Sequence, residues 1–145
     1  GLIRPKALAP NLFFLVQLPP KWKPVPERLD AFLQRAPDQY RWCIEVRDTR
    51  WLCEEVYDVL RRHNAALCIH DMIEDHPRIC TADWTYLRFH GINYAGDYSD
   101  EALRHEASEI REWLNQGIDT YVYFNNDADG CAVQDAQDLQ RFVQE

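Results

Sequence analysis

The sequence has no apolar stretch long enough to cross a bilayer as a helix: its longest run, Leu12 to Val16, falls far short of the roughly 20 residues such a helix needs. The opening residues Gly1-Leu2-Ile3-Arg4-Pro5 lack the apolar centre of a secretory signal. Nothing read here sends the chain out of the cytoplasm, and a cytoplasmic location without membrane partners is expected. Cys-x-x-Cys pairs are missing as well. The five cysteines, Cys43, Cys53, Cys68, Cys80 and Cys131, are odd in number and fall mostly in apolar segments, so they read as reduced core thiols. There is no Gly-x-Gly-x-x-Gly, no phosphate-binding Lys loop and no nucleophile elbow. Dinucleotide binding, phosphate-loop hydrolysis and serine hydrolysis therefore lack support. Positive charge is scarce: 16 Lys and Arg against 24 Asp and Glu give a formal net charge of −8. That balance disfavours non-specific attraction to nucleic acid, although a local basic pocket can persist within an acidic exterior.

What is present is a core. Of 145 residues, 46% are hydrophobic and 12% aromatic, enough for one soluble domain over residues 1–145. Strand and helix patterns alternate without linker, repeat or low-complexity tract. Leu12 to Leu18 reads as a strand stopped by Pro19-Pro20, and Pro26-Glu27 opens a helix with Leu29, Phe32 and Leu33 on one face. Trp42 to Arg47 is the next strand, Glu54 to His63 an amphipathic helix and Ala65 to Ile69 a short buried strand. Asp83 to His90 alternates as a strand, Ser99-Asp100 caps a long helix closed by Asn115-Gln116-Gly117, Thr120 to Phe124 is the last strand, and a helix over about Gln134 to Val143 ends the pattern. Alternation of this kind implies a parallel sheet covered by helices.

The two faces of each strand decide what kind of sheet. Ile44 and Val46 oppose Glu45 and Arg47, Leu87 and Phe89 oppose Tyr86, Arg88 and His90, and Val122 and Phe124 oppose Tyr121, Tyr123 and Asn125. Strands of a flat doubly wound sheet are apolar on both faces. These carry one polar face each, as in a barrel whose inward side chains form the floor of a site at the carboxyl ends of the strands. The fold expected is thus α/β, of (β/α) TIM-barrel type, with about five parallel strands. A full barrel needs eight strands and about 250 residues. The chain accordingly reads as the carboxyl-terminal portion of a barrel lacking its first strands. Its outer strands, Leu12 to Leu18 and Thr120 to Phe124, are then expected to be open edges, available for self-association.

Five motifs carry a family resemblance: Gln17-Leu18-Pro19-Pro20; Glu45-Val46-Arg47 followed by Trp51; Asp71; Tyr86-Leu87-Arg88-Phe89-His90-Gly91; and Tyr121-Val122-Tyr123-Phe124-Asn125-Asn126-Asp127 with Gly130 and Ala136. In this order they resemble the YecE family, domain of unknown function 72, from Leu12 onward. The resemblance implies a TIM barrel and no assigned reaction. The family's opening Gly-Thr-Ser-Gly-Trp strand and its Glu-x-Asn motif have no counterpart here, and His70 and Asp135 depart from the residues usual in the family.

The chemistry follows from the inward set. Glu45 and Arg47 lie two apart on one strand and can pair, which lowers the carboxyl pKa and makes Glu45 a base or a ligand, or a purely structural ion-pair partner. Arg88 adds a second inward guanidinium, and two forks beside one carboxylate suit a small anionic or polyhydroxylated ligand. The expected roles are catalytic for Glu45, His90 and Asp71, and substrate-binding for Gln17, Arg47, Arg88, Asn125, Asn126, Asp127 and Trp51, the last as a wall of the site. Tyr94, Gly96 and Tyr98 are candidates for a lid. The cofactor is left open. Glu45, Asp71, His90 and Asp127 offer oxygen and imidazole donors to a divalent ion, but no tight ligand spacing accompanies them, so no residue is assigned as a metal ligand. Two classes of function remain: an enzyme using acid/base chemistry on such a metabolite, or a binding or scaffold protein, with processing of nucleic-acid ends ranked below both.

Overall fold

The structure is a computed structural model that describes residues 2–3, 13–91, 98–126 and 130–145. Its elements are β1 (Leu2–Ile3), β2 (Phe13–Gln17), α1 (Pro26–Arg35), β3 (Arg41–Glu45), a 3-10 turn (Thr49–Trp51), α2 (Glu54–Arg62), β4 (Ala66–His70), β5 (Trp84–Phe89), α3 (Asp100–Asn115), β6 (Asp119–Phe124) and α4 (Cys131–Val143). Local chemistry sets the helix ends. Pro26 starts α1 at a position whose N–H needs no partner. Glu54 and Glu55 in the first turn and Arg61 and Arg62 in the last complement the dipole of α2. The Ser99 hydroxyl accepts from the Ala102 N–H at 3.1 Å to cap α3. Gly117, at φ +82°, lets the Ile118 N–H turn back to the Trp113 carbonyl and end that helix.

Strands β2 to β6 are parallel and lie in chain order, with helices following β2, β3, β5 and β6. In a flat sheet β2 and β6 would stand about 19 Å apart, four spacings of roughly 4.8 Å. Instead the ring of Phe13 on β2 sits 4.8 Å from that of Tyr121 on β6 and 5.3 Å from Trp84 on β5. The sheet is therefore strongly curled into a half-barrel, as the one-polar-face pattern of the strands requires. Phe13, Cys43, Ala66, Cys68, Trp84 and Tyr121 fill its concave side. Outside, Ile44, Val46 and Leu67 meet Leu29, Leu33, Val56 and Leu60 of α1 and α2, while Leu87, Phe89, Val122 and Phe124 meet Leu103, Ile110, Leu139 and Phe142 of α3 and α4.

Strand limits differ from the sequence expectation by one or two residues, and β1 was not expected at all. It runs antiparallel to β6, with Leu2 opposite Tyr121 and Ile3 opposite Thr120. The start of β6 is thus covered rather than open, a correction to the reading of Thr120 to Phe124 as an edge. Two residues carry no periodicity, so nothing in the pattern announces such a strand. At the other side β2 pairs with β3 and, among the described residues, with nothing beyond it. None of the described helices is long and apolar enough to cross a membrane.

Candidate functional site

Parallel register brings the strand ends to one mouth. Gln17 lies opposite Glu45, and His70 opposite Arg88, which in turn lies opposite Tyr123. Because side chains alternate along each strand, Glu45 and Arg88 project into the concave side, and their side chains meet across the intervening strand β4. Arg88 Nη1 donates to Glu45 Oε2, while Arg47 Nε and Nη2 both approach Glu45 Oε1 at 2.6 Å. One carboxylate, 0% exposed, therefore holds two guanidiniums. The Cys68 thiol lies 3.7 Å from the same Oε2.

The electrostatics of this trio are decided by the arginines. Burial pushes the Glu45 carboxyl up, but the Arg88 hydrogen bond and the charges of Arg88 and Arg47 outweigh it and leave the pKa below the ordinary value. Glu45 is thus an anion at neutral pH, and two cations against one anion leave the trio one positive charge in excess. Arg88 Nε is buried with no hydrogen-bond partner among the described residues. The remaining contacts are soft: the Arg88 guanidinium lies over the Tyr123 ring at 5.9 Å, and Arg47 Nη1 lies 3.1 Å from the Met72 sulfur. Tyr86 is held neutral, burial pushing its pKa up to about 12.

A second polar assembly adjoins the first. Asp71 Oδ1 accepts from the His90 N–H at 2.7 Å and lies 3.3 Å from His90 Nδ1, while Oδ2 accepts from the Gly91 N–H at 3.2 Å and from the Tyr98 hydroxyl. Tyr98 Oη accepts in turn from the Gly91 N–H at 2.7 Å. Asp71 therefore acts as the clamp that orients His90 and closes the end of β5, and burial together with Asp71 pushes the Tyr98 pKa well up. His70, between the two assemblies, is satisfied on both nitrogens: Nε2 lies 2.8 Å from the Val46 carbonyl, and Nδ1 accepts from the Met72 N–H at 3.2 Å. That pattern fixes a neutral imidazole with the proton on Nε2, in agreement with a pKa lowered by burial.

The other expected site residues stand apart from the trio's hydrogen bonds. Asn126 is buried, and its amide donates to Asp135 Oδ2 at 2.6 Å; the same oxygen accepts from the Tyr98 N–H at 3.3 Å. Asn126 and Asp135 thus tie the end of β6 to α4 and to the start of α3. Asn125 continues the ladder by donating its N–H to the Phe89 carbonyl at 2.7 Å, with its side chain half-buried. Trp51 lies on the convex side, where its indole donates to the Trp22 carbonyl at 2.8 Å and packs with the α1–α2 core; it walls a groove of about 710 Å³ beside Leu18, Leu29 and Trp22. Gln17 is exposed and borders that groove. Asp127, Tyr94 and Gly96 lie outside the described residues. Among the described residues no three His, Cys, Asp or Glu side chains cluster as a metal site.

Tyr123 and Met72 flank the two arginines; the sequence sets Tyr123 on the inward face without a site role, and it does not single out Met72. The signal for Tyr123 is its alternation with Val122 and Phe124, which sets it on the same inward face as Arg88 of the neighbouring strand. Met72 follows His70 in a loop, and no periodicity places it.

A curled α/β half-barrel of (β/α) type, with two arginines on one buried carboxylate at the carboxyl ends of its strands, is the class these features define. The chain belongs to the DUF72 family, described as "Protein of unknown function DUF72", whose sequence profile matches residues 5–145. It is similar to a DUF72 family protein of Thermotoga maritima, with 28% identity and a TM-score of 0.78 over 90% of this chain and 57% of that one. A DUF72 family protein of Enterococcus faecalis gives 20% identity and a TM-score of 0.75, over 92% of this chain and 58% of that one. The chain thus spans somewhat over half the length of these solved relatives. No curated protein matches it.

Proposed function

We propose that the carboxyl-end mouth of the half-barrel binds a small metabolite through an oxyanion held by Arg47 and Arg88, and that His90, oriented by Asp71, performs acid/base chemistry on it. The observation that carries this reading is the stoichiometry of the trio: two guanidiniums share one carboxylate, and a half-buried cation left in excess is stabilised by an anion. Glu45 takes a different role from the base first expected of it. Both of its oxygens are engaged and its pKa is lowered, so it organises the arginines and does not accept protons at neutral pH. This engagement also supports a second reading, a binding protein without turnover.

A thermal-shift titration of the full chain with small carboxylates and phosphates, against neutral sugars as controls, tests the binding. Oxyanions should raise the melting temperature and neutral sugars should not. Equal responses to both, or none, would remove the reading. For a ligand found in this way, following its conversion over time separates the two classes. An enzyme loses turnover in His90→Asn while keeping affinity, whereas a binder shows no conversion in either form.

A further inference from the structure

Among the described residues, the exposed apolar side chains Tyr123 and Met72 at the mouth lie against the arginines rather than in the core. On β6 Tyr123 is 45% exposed while every other residue of the strand is buried, and it lies under the Arg88 guanidinium. Met72 is 43% exposed and its sulfur meets Arg47 Nη1. The positive centre is thus bracketed by an aromatic face on one side and a thioether on the other. An exposed Tyr or Met alone carries no message, because much of any protein surface is apolar. Here each is in contact with one of the two cations that share Glu45, and both leave their apolar surface open beside the charge.

The charge count narrows the ligand further. Within the trio Arg47 and Arg88 against Glu45 leave one positive charge, with His70 and Tyr86 neutral beside them, while the Asp71 carboxylate is taken up by the His90 and Gly91 N–H groups and the Tyr98 hydroxyl of the adjoining assembly. A single negative charge neutralises that excess, whereas a dianionic phosphate overshoots it next to the buried Glu45 carboxylate. A carboxylate also matches the planar fork of a guanidinium.

Resting on the oxyanion reading above, we propose that the site takes a monocarboxylate attached to a flat apolar body, with Arg88 and Arg47 holding the carboxylate and Tyr123 stacking on the body. Tyr123 is then the residue that sets specificity for the body of the ligand.

Isothermal titration of the full chain with benzoate, acetate and inorganic phosphate tests this. Benzoate should bind roughly three- to tenfold more tightly than acetate, the range expected for one aromatic contact. Tyr123→Ala should erase that gap, and Met72→Ala should narrow it less. Because Tyr123 is exposed, the variant should fold, and its melting temperature without ligand checks this. Equal affinity for benzoate and acetate, tighter binding of phosphate, or a gap that survives Tyr123→Ala would overturn the inference while leaving oxyanion binding intact. If none of the three anions binds the wild-type chain, the oxyanion reading fails and this inference fails with it.

Discussion

The two ends of the half-barrel use the same device with different arithmetic. At the amino end Arg41 of β3 reaches across the concave side to β6, donating to Asp119 Oδ2 at 3.0 Å and to the Tyr121 hydroxyl at 3.1 Å, with its guanidinium 5.5 Å from the centre of the Trp84 ring. One cation meets one anion, and aromatic faces cover the rest. At the carboxyl end Glu45 of β3 reaches Arg88 of β5, but Arg47 joins the same carboxylate. The amino end is electrically closed and braces the curl. The carboxyl end braces the curl as well, and keeps a positive charge over. The difference separates a structural ion pair from a candidate binding site on the same strands, without appeal to sequence similarity.

The largest expected effect comes from removing the shared anion. Glu45→Gln leaves two guanidiniums facing each other around a buried neutral amide and should cost about 3–5 kcal/mol of stability, the range for breaking a buried pair. The matching change at the amino end, Asp119→Asn, should cost less, about 1–3 kcal/mol as for an ordinary unsatisfied buried group. Arg41 is 18% exposed and keeps its aromatic and Tyr121 contacts. Urea denaturation of both variants measures the gap, and equal losses would erase the distinction between the two ends.

A pH effect comes next. Burial holds His76 down to about 4 from 6.5, and its ring lies 4.7 Å from His70, which burial also lowers. Both imidazoles take up protons in the unfolded chain before they do so in the fold. Their contribution is therefore complete above pH 6.5 and is lost as pH falls towards 4, on the order of 3 kcal/mol for His76. Glu45, lowered from 4.5, adds a further loss below that value. Melting temperatures should fall over pH 6.5 to 4, and His76→Leu should flatten the decline; an unchanged slope in that variant would assign the effect elsewhere. The smallest effect is at the surface. Arg61, exposed and paired with Glu54 and Asp58 along α2, should change stability by at most about 0.5–1 kcal/mol when replaced by Ala, and a larger loss would mean that exposed pairs matter here as much as the buried trio.

Much of this arrangement can be read from the chain because alternation is a local property. Glu45, Arg47, Arg88 and Tyr123 declare their common face through neighbours such as Ile44, Leu87 and Val122, and parallel order then brings their strand ends together. What escaped is non-local or aperiodic. Arg41 and Asp119 are 78 residues apart, and no pattern couples them. The two-residue β1 is too short to show a period, and Met72 sits in a loop. Trp51 was placed at the mouth because it follows the Glu45–Arg47 segment, yet the 3-10 turn begun at Asp48, whose side chain accepts from the Arg50 N–H, turns it to the convex side. Asn126 looked like a ligand-binding amide until Asp135 supplied its partner from α4.

That the Glu45 trio keeps a positive charge over, and the Arg41–Asp119 pair does not, is tested most directly by titrating benzoate into the wild-type chain, Arg41→Met and Arg88→Met, and recording the melting temperature of each. Arg41→Met should lower the starting temperature yet keep the wild-type increase on adding benzoate, whereas Arg88→Met should lose most of that increase, its affinity falling about tenfold or more for a lost charged hydrogen bond. An undiminished benzoate response in Arg88→Met, or its loss in Arg41→Met alone, would contradict the account.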